Sequence, residues 1–342
     1  MKKNVNALDK YNLRRVILEE YKQFEEGSCV AQGKVIPGVY DEVILCGMGG
    51  SALPGEVVDQ FLRDASARFH FSYIPLSIHR SYGLPLSKGK NPLYITCSHS
   101  GNTEETLSAL EEAIEEKKPV IGVSSGGKME KVCQEKNIPF AKLPIPFEAF
   151  QPRMATGHFF GALLTLLVQS NVISKEVYEK VQEEALSLKK IIEDQETLGK
   201  AIAKTLVGKT PVIYASESMR SLALIWKIKI NENAKTPAFW NYFPELNHNE
   251  MVGFTNPQAD FTFLLLRDEQ DDSRIRRRYE VFETLIQKQG MTVQILDIQG
   301  DSVYSKVFST LALGDWISYY LALEYGIDPT PVDMVENFKK ML

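Results

Sequence analysis

Residues 43–62 read VILCGMGGSALPGEVVDQFL and contain the unit that decides the fold. The apolar run at 43–48 predicts a buried strand, the glycines after it predict a tight loop, and the residues that follow have the apolar spacing of a helix. The same order of short strand, loop and helix recurs along the chain. This alternation is typical of a parallel sheet that is covered by helices on both faces.

The first half of the chain repeats the unit several times. An amphipathic helix is predicted at 8–26, before the first strand. Five strands are predicted, at Val43–Met48, Phe69–Ile74, Leu93–Ser98, Val120–Ser124 and Ile138–Leu143. Helices are predicted at Thr103–Glu116 and Lys128–Glu135. Right-handed crossovers would then place the loops after the strands along one edge of the sheet, where α/β proteins bind ligands.

The second half restarts the pattern and is predicted to be a degenerate copy of the first. Its elements are expected at Val212–Ala215 (strand), Met219–Ile230 (helix), Phe261–Arg267 (strand), Arg274–Lys288 (helix), Thr292–Leu296 (strand) and Val307–Tyr325 (helix). Residues 173–207 are charged and helical in period. We therefore expect four parts: an N-terminal helical segment (1–40), a first α/β domain (41–170), a helical connector (171–207) and a second α/β domain (208–342).

Length and composition narrow the class of protein. A chain of 342 residues, 44% hydrophobic and 24% charged, suits two globular domains. Its net charge of −5 gives no reason to expect a nucleic-acid or anionic-membrane partner. The longest apolar run, Phe159–Val168, is too short to span a bilayer and predicts a buried helix.

The N-terminus and the four cysteines indicate the cytoplasm. Charged residues stand where a signal peptide would need an apolar core. The cysteines form no CxxC pair and have no zinc spacing, so no metal is expected. Cys46 and Cys97 lie in strand-like runs and are predicted to be buried free thiols.

Two loops after strands have the composition of ligand sites. Gly49, Gly50 and Ser51 would let a ligand approach the backbone at a helix N-terminus. A dinucleotide is the rival ligand, but that site needs an acidic residue at the end of the second strand, and none is present at 75–79. We therefore expect no cofactor.

The second loop, SHSGNTEET at 98–106, places three hydroxyls before a helix. Ser98, Ser100 and Thr103 could donate hydrogen bonds to a phosphate at the helix N-terminus. The alternative is that Thr103 only caps the helix. Capping would account for one hydroxyl and not for all three.

At this point the chain resembles a known family. GMGGSA (47–52), SHSGNTEET and IGVSSGG (121–127) are similar to sugar-isomerase (SIS) domains, which have a doubly wound, flavodoxin-like parallel sheet and bind phosphosugars. NENAKTP (231–237), PELNHNE (244–250) and DPTPV (328–332) resemble the bifunctional phosphoglucose/phosphomannose isomerase family. The resemblance covers about residues 40–340 and implies two SIS domains, the first of which binds the phosphate.

The family implies a metal-independent aldose–ketose isomerase that passes through a cis-enediol. Glu232 is implied as the proton shuttle between C2 and C1, and His248, from the neighbouring subunit of a homodimer, as the group that opens the sugar ring. Arg153 is implied to stabilise the enediolate. Lys339 assists ring opening, with Lys340 as the alternative register, and Thr330 is associated with the use of both C2 epimers.

Each of these residues also has an ordinary structural interpretation. Glu232 could be a solvated helix end, His248 a loop histidine, Arg153 half of an ion pair and Thr330 a turn residue between prolines. Two other functions stay open, a non-catalytic phosphosugar sensor and an amino-sugar phosphate isomerase. The remaining histidines, His70, His79, His99 and His158, are predicted to be structural, although His99 lies inside the proposed phosphate loop.

Overall fold

The computed structural model describes residues 5–69, 73–147, 149–185 and 187–341. The chain forms two compact units. The first unit is Glu19–Ser187, and the second unit joins Met1–Leu18 to Leu188–Leu342. Each unit contains one parallel sheet with helices around it.

The helices are numbered in chain order over the described residues. They are α1 (Val5–Leu8), α2 (Leu13–Glu19), α3 (Gln23–Ala31), α4 (Leu53–Phe69), α5 (Glu104–Glu115), α6 (Gly127–Glu135), α7 (Thr156–Gln169), α8 (Lys175–Ala185), α9 (Leu188–Thr205), α10 (Arg220–Asn233), α11 (Ser273–Lys288), α12 (Val303–Tyr325) and α13 (Asp333–Met341). The strands are β1 (Glu42–Gly47), β2 (Leu76–His79), β3 (Pro92–Ser98), β4 (Val120–Ser124), β5 (Phe140–Lys142), β6 (Thr210–Ser216), β7 (Phe239–Phe243), β8 (Phe261–Arg267) and β9 (Thr292–Asp297).

The two sheets share one topology. The first has the order β2-β1-β3-β4-β5 and the second β7-β6-β8-β9, and all neighbouring strands are parallel. The order therefore reverses at β1 in one sheet and at β6 in the other. Ligands of doubly wound sheets bind at such switch points, beyond the carboxyl ends of the strands. The predicted fold class, two doubly wound parallel sheets of the SIS type, is confirmed.

Glycines allow two helices of the first unit to touch. A Cβ at Gly27 of α3 would lie 2.0 Å from the carbonyl oxygen of His158, and one at Gly161 of α7 would lie 2.1 Å from that of Phe24. Helix α7 contains the apolar run predicted to be buried, and all its residues from Thr156 to Leu167 are buried. The close crossing fixes α7 and the segment that precedes it.

An aromatic cluster fills one face of the second sheet. Tyr214, Phe243, Phe263 and Phe282 meet with ring centroids 5.3–6.1 Å apart, largely edge to face. Elsewhere in this unit, Trp316 of α12 donates from Nε1 to the carbonyl of Ile192 in α9 at 2.8 Å. These contacts pack α11 onto the sheet and α12 against α9.

Three expectations about the elements are wrong. The predicted strand Phe69–Ile74 is not formed: Phe69 ends α4, Tyr73 and Ile74 are outside any strand, and 70–72 lie outside the described residues. The strand is β2, after Pro75, and it was missed because the aromatic-rich sequence at 69–74 resembles a strand more closely than LSIH does. The helix expected at 8–26 is interrupted at 9–12, since the Asp9 carboxylate accepts from the backbone N–H of Leu13 at 2.6 Å and starts a new helix. Strand β7 was not predicted.

Among the described residues, no helix is both long and apolar enough to cross a membrane. Cys46 and Cys97 are buried free thiols, as predicted.

Candidate active site

The glycine loop after β1 leaves no room for a side chain at Gly47 or at Gly50. Gly49 has φ +48°, in the left-handed region. A Cβ at Gly47 would lie 2.8 Å from the carbonyl oxygen of Cys97, and one at Gly50 would lie 2.8 Å from the backbone nitrogen of Arg153. The loop therefore fits closely between the end of β3 and the segment around Arg153, and it joins three site segments of the first unit.

The hydroxyl loop after β3 is held by its own backbone. Thr103 is the N-cap residue of α5, but its side chain makes no capping bond, so the capping interpretation is wrong. Its Oγ1 lies 2.9 Å from Oγ of Ser98 instead. Ser98 Oγ also accepts from the Gly101 N–H at 3.1 Å. Ser100 Oγ accepts from the Asn102 N–H at 3.2 Å.

These bonds leave hydroxyl hydrogens for a ligand. Ser51 Oγ accepts from the His99 N–H at 2.8 Å, and an N–H can only donate. Each serine oxygen therefore accepts from a backbone N–H through a lone pair, and this bond uses no hydroxyl hydrogen. Ser98 and Thr103 use one hydrogen between them. The four hydroxyls in this part of the described chain thus have three hydrogens left to donate to an anion, beside the N-terminus of α5.

His99 is the backbone junction of the site, a role that sequence reasoning missed. Its N–H bonds to Ser51 after β1, and its carbonyl accepts from the N–H of Ser125 after β4 at 3.0 Å. The ring is buried, with its centroid 5.6 Å from that of Phe150. Burial, with a contribution from the nearby His158, lowers the pKa of His99 to about 4, so the imidazole is neutral at pH 7.

Arg153 is a buried cation in a fixed segment. It lies in the short 3₁₀ helix Pro152–Met154 and is only 2% exposed. Gln23 of α3 clamps this segment, donating to the Met154 carbonyl at 2.8 Å and accepting from the Gly157 N–H at 3.1 Å. A guanidinium taken out of water in this way interacts strongly with nearby negative charge.

Glu232 lies in the last turn of α10, which polar contacts hold from both sides. Asn233 donates to Oγ of Ser318 in α12 at 2.9 Å, and Lys229 forms a buried ion pair with Asp315. Asn231 donates to the Thr236 carbonyl at 2.8 Å. The flanking asparagines therefore shape the helix end, and Glu232 itself is half-buried.

His248 is exposed on a loop whose other members are anchored. Asn247 accepts from Arg278 at 3.0 Å, and Asn249 donates to Glu245 at 2.9 Å. The Glu250 carboxylate accepts from Tyr214 and Asn241. A loop of this rigidity presents the His248 imidazole outward.

The C-terminal residues have different surroundings. Thr330 is fully buried, and its N–H donates to the Asp328 carboxylate at 3.0 Å. Lys339 is exposed on α13 and lies 2.8 Å from Oε1 of Glu336. Lys340 is adjacent and also exposed.

The predicted residues fall into two sets. The first unit brings together Gly49, Gly50, Ser51, Ser98, Ser100, Thr103 and Arg153. The second unit holds Glu232, His248, Thr330 and Lys339. Within that unit Lys235 joins the helix end that carries Glu232 to the turn before Thr330.

Three remaining histidines were predicted to be structural. His79 lies 3.1 Å from the Gly83 carbonyl, and His158 lies 2.7 Å from the Glu26 carboxylate. His70 lies outside the described residues. Within the described ranges, no three His, Cys, Asp or Glu side chains lie close enough together to hold a metal ion.

Comparison with known proteins first gives the class. Residues 195–342 match the family described as "Bacterial phospho-glucose isomerase C-terminal SIS domain". The structure of a hypothetical protein from Thermus thermophilus, TT0462, shares the fold with a TM-score of 0.70 at 14% identity, over 97% of this chain and 93% of that one. The fold and the match together define an SIS-domain protein.

The family follows from closer relatives. The bifunctional phosphoglucose/phosphomannose isomerase of Aquifex aeolicus is 33% identical over 305 residues, 89% of this chain and 91% of that protein. A D-glucosamine-6-phosphate 4-epimerase of Sulfolobus acidocaldarius is 31% identical over 250 residues, 71% of this chain and 74% of that protein. The chain belongs to the bifunctional phosphoglucose/phosphomannose isomerase family.

Proposed function

We propose that the protein is an aldose–ketose isomerase that interconverts glucose 6-phosphate and mannose 6-phosphate with fructose 6-phosphate. One observation carries the proposal: four clustered hydroxyls retain three hydrogens beside a helix N-terminus, which is what a phosphate monoester dianion requires. Family membership supports the rest of the substrate. The proposed setting is the cytoplasm.

In the proposed reaction, His248 and Lys339 open the sugar ring: a proton leaves O1, the C1–O5 bond breaks to give the C1 aldehyde, and the ring oxygen takes up a proton. The Glu232 carboxylate then removes the proton from C2, leaving a cis-enediolate that carries negative charge on oxygen. Arg153 stabilises that charge, and in a site of low dielectric such stabilisation is a large part of catalysis. Glu232 returns the proton to C1 while a proton passes between O1 and O2, which yields the ketose. Apart from cleavage of the C1–O5 bond, every step is a proton transfer between the substrate and these side chains, so the proposed reaction needs no cofactor or metal.

Both aldoses give the same enediol, because they differ only at C2. Reprotonation on either face of C2 in the reverse direction therefore gives either product. We assign Thr330 to the control of rotation about the C1–C2 unit. Its full burial and the bond from its N–H to Asp328 support a fixed position for this side chain.

The same proposal makes the active protein a homodimer. His248 is exposed at the outer side of an anchored loop, as a residue that serves a neighbouring subunit would be. A second copy of the chain would then complete each site.

Replacement of the base tests the reaction. Glu232→Gln should fold normally, and its isomerisation rate with either aldose should fall by a factor of about 10²–10⁴, because an amide cannot accept the C2 proton. Coupled assays with EDTA present, together with exchange of the C2 hydrogen into deuterated water, measure this. Glu217→Gln, another carboxylate of the second unit, is the control. Washout of C2 hydrogen at the wild-type rate in Glu232→Gln would exclude Glu232 as the base.

A second candidate function comes from the epimerase relative, which is 31% identical to this chain. Glucosamine 6-phosphate should therefore be assayed beside the two hexose phosphates. Turnover of the amino sugar alone would favour an amino-sugar phosphate enzyme over the proposed isomerase.

A further inference from the structure

Lys235 adopts a backbone conformation that lysine disfavours. It follows α10 and its cap residue Ala234, and it has φ +51°. Glycine usually fills the left-handed position after a helix, because a Cβ there crowds the neighbouring carbonyl. At Lys235 an interaction of the side chain offsets the cost of this conformation.

The ammonium of Lys235 makes that interaction. It donates to the carbonyl oxygens of Asn233 at 3.1 Å, Asp328 at 2.9 Å and Pro329 at 2.9 Å. A lysine ammonium has three hydrogens, so these carbonyls can use all of them. One acceptor belongs to the negative end of the α10 dipole, where a cation is favoured, and the other two belong to a distant turn.

The tie joins two residues of the proposed reaction. Glu232 lies three residues before Lys235, in the last turn of α10. On the other side, Asp328 and Pro329 present consecutive carbonyls to the ammonium, and the Asp328 carboxylate accepts from the N–H of Thr330. Lys235 therefore connects the backbone of the proposed base to that of the residue assigned to C1–C2 rotation.

We propose that Lys235 is a positioning residue that fixes Thr330 relative to Glu232 and thereby sets the balance between the two C2-epimeric substrates. This inference rests on the proposed function. Catalytic groups must be held within about 0.5 Å of the productive geometry. The two aldoses share the enediol and differ in the face of C2 that is protonated. A displaced Thr330 should therefore change the ratio of the two aldoses' kcat/KM values more than it changes the rate of proton transfer itself.

The structure supplies a matched control. Lys117 is also an exposed lysine just after a helix end, with φ +56°, but it follows α5 of the first unit. Lys235→Met and Lys117→Met keep the aliphatic stem and remove the donors. Lys235→Arg keeps a cation with several donors at the same position.

Two measurements test the proposal. Lys235→Met should change the ratio of kcat/KM for mannose 6-phosphate to that for glucose 6-phosphate by roughly threefold or more, whereas Lys117→Met and Lys235→Arg should keep the wild-type ratio. Hydrogen–deuterium exchange of the peptide spanning 326–335 should be faster in Lys235→Met than in wild type and unchanged in Lys117→Met. A merely structural lysine would lower both activities equally.

The outcomes separate this proposal from the proposed function. An unchanged ratio, or unchanged exchange of 326–335, in folded Lys235→Met would overturn the positioning role. A wild-type protein that isomerises neither aldose would overturn the proposed function. The kcat/KM ratio could then not be measured. Hydrogen–deuterium exchange of 326–335 would still show whether Lys235 holds the turn.

Discussion

Replacement of Ser51 by alanine tests the hydroxyl site through two independent measurements. Ser51 is 5% exposed, and its Oγ accepts from the buried N–H of His99 at 2.8 Å. Ser51→Ala leaves that N–H without its acceptor. A buried donor that loses its partner costs about 1–3 kcal/mol of stability. In a unit of this size each kcal/mol lowers the melting temperature by about 2–4 °C.

The same substitution removes one of the three hydroxyl hydrogens proposed to bind phosphate. A hydrogen bond to a charged group contributes about 1.5–3 kcal/mol. Substrate binding should therefore weaken by about ten- to a hundredfold. Calorimetric unfolding measures the first effect, and titration of Glu232→Gln and of the Ser51→Ala, Glu232→Gln double variant with glucose 6-phosphate measures the second without turnover.

Ser125→Ala is the matched control. The Ser125 hydroxyl also bonds to His99, at the carbonyl, but that carbonyl keeps the N–H of Ser125 at 3.0 Å. This variant should lose little stability and should bind substrate as wild type does. If Ser51→Ala melted at a lower temperature yet bound substrate normally, Ser51 would only support His99, and the phosphate would lie elsewhere.

Two further predictions concern the assembly and pH. Mixing inactive Glu232→Gln with inactive His248→Ala protein should restore activity through heterodimers, measured by coupled assay after subunit exchange, and no recovery after verified exchange would mean that one chain builds each site. Because the pKa of His99 is lowered to about 4 from 6.5, the unfolded chain binds this proton more tightly, so the free energy of unfolding should fall as pH drops from 6.5 toward 4, by at most about 1.4 kcal/mol per pH unit. His99→Gln should remove that part of the slope in denaturant titrations at about pH 7 and 4.5, and an identical slope in both proteins would contradict it.

The sequence predicted the parts of the molecule that follow simple periodicity. The strands at Val120–Ser124 and Phe261–Arg267 have the predicted bounds, because continuous apolar runs between helices have few other interpretations. Two of the four edge strands, β2 and β7, were missed, whereas the other two, β5 and β9, were predicted. β2 and β7 are only partly buried, so their sequences lack the apolar run that identifies a central strand.

The sequence predicted which residue types form the site, but not the hydrogen bonds that join its loops. Hydroxyls beside a helix N-terminus suggest an anion site from sequence alone. That His99 joins three loops depends on its backbone N–H and carbonyl, which every residue has, so no residue type signals it. Lys235 gave no signal either, because Lys117 also stands directly after a helix end with a positive φ, so a lysine at this position does not by itself reveal a side-chain role.

The two sheets share a topology but differ in charge at the switch point, which argues that phosphate binds to the first unit alone. The loops after β1 and β3, residues 47–51 and 98–103, contain no carboxylate. The corresponding loops after β6 and β8, residues 216–219 and 268–272, contain five: Glu217, Asp268, Glu269, Asp271 and Asp272. Asp268 is buried, and its two oxygens lie 2.7 and 2.8 Å from the Lys306 ammonium. The charge of this buried lysine is therefore already neutralised. A phosphate dianion placed there would meet like charges, and repulsion of that kind costs several kcal/mol. Under the proposed function, the first unit therefore binds the substrate's phosphate and supplies Arg153, and the second unit supplies Glu232 and His248.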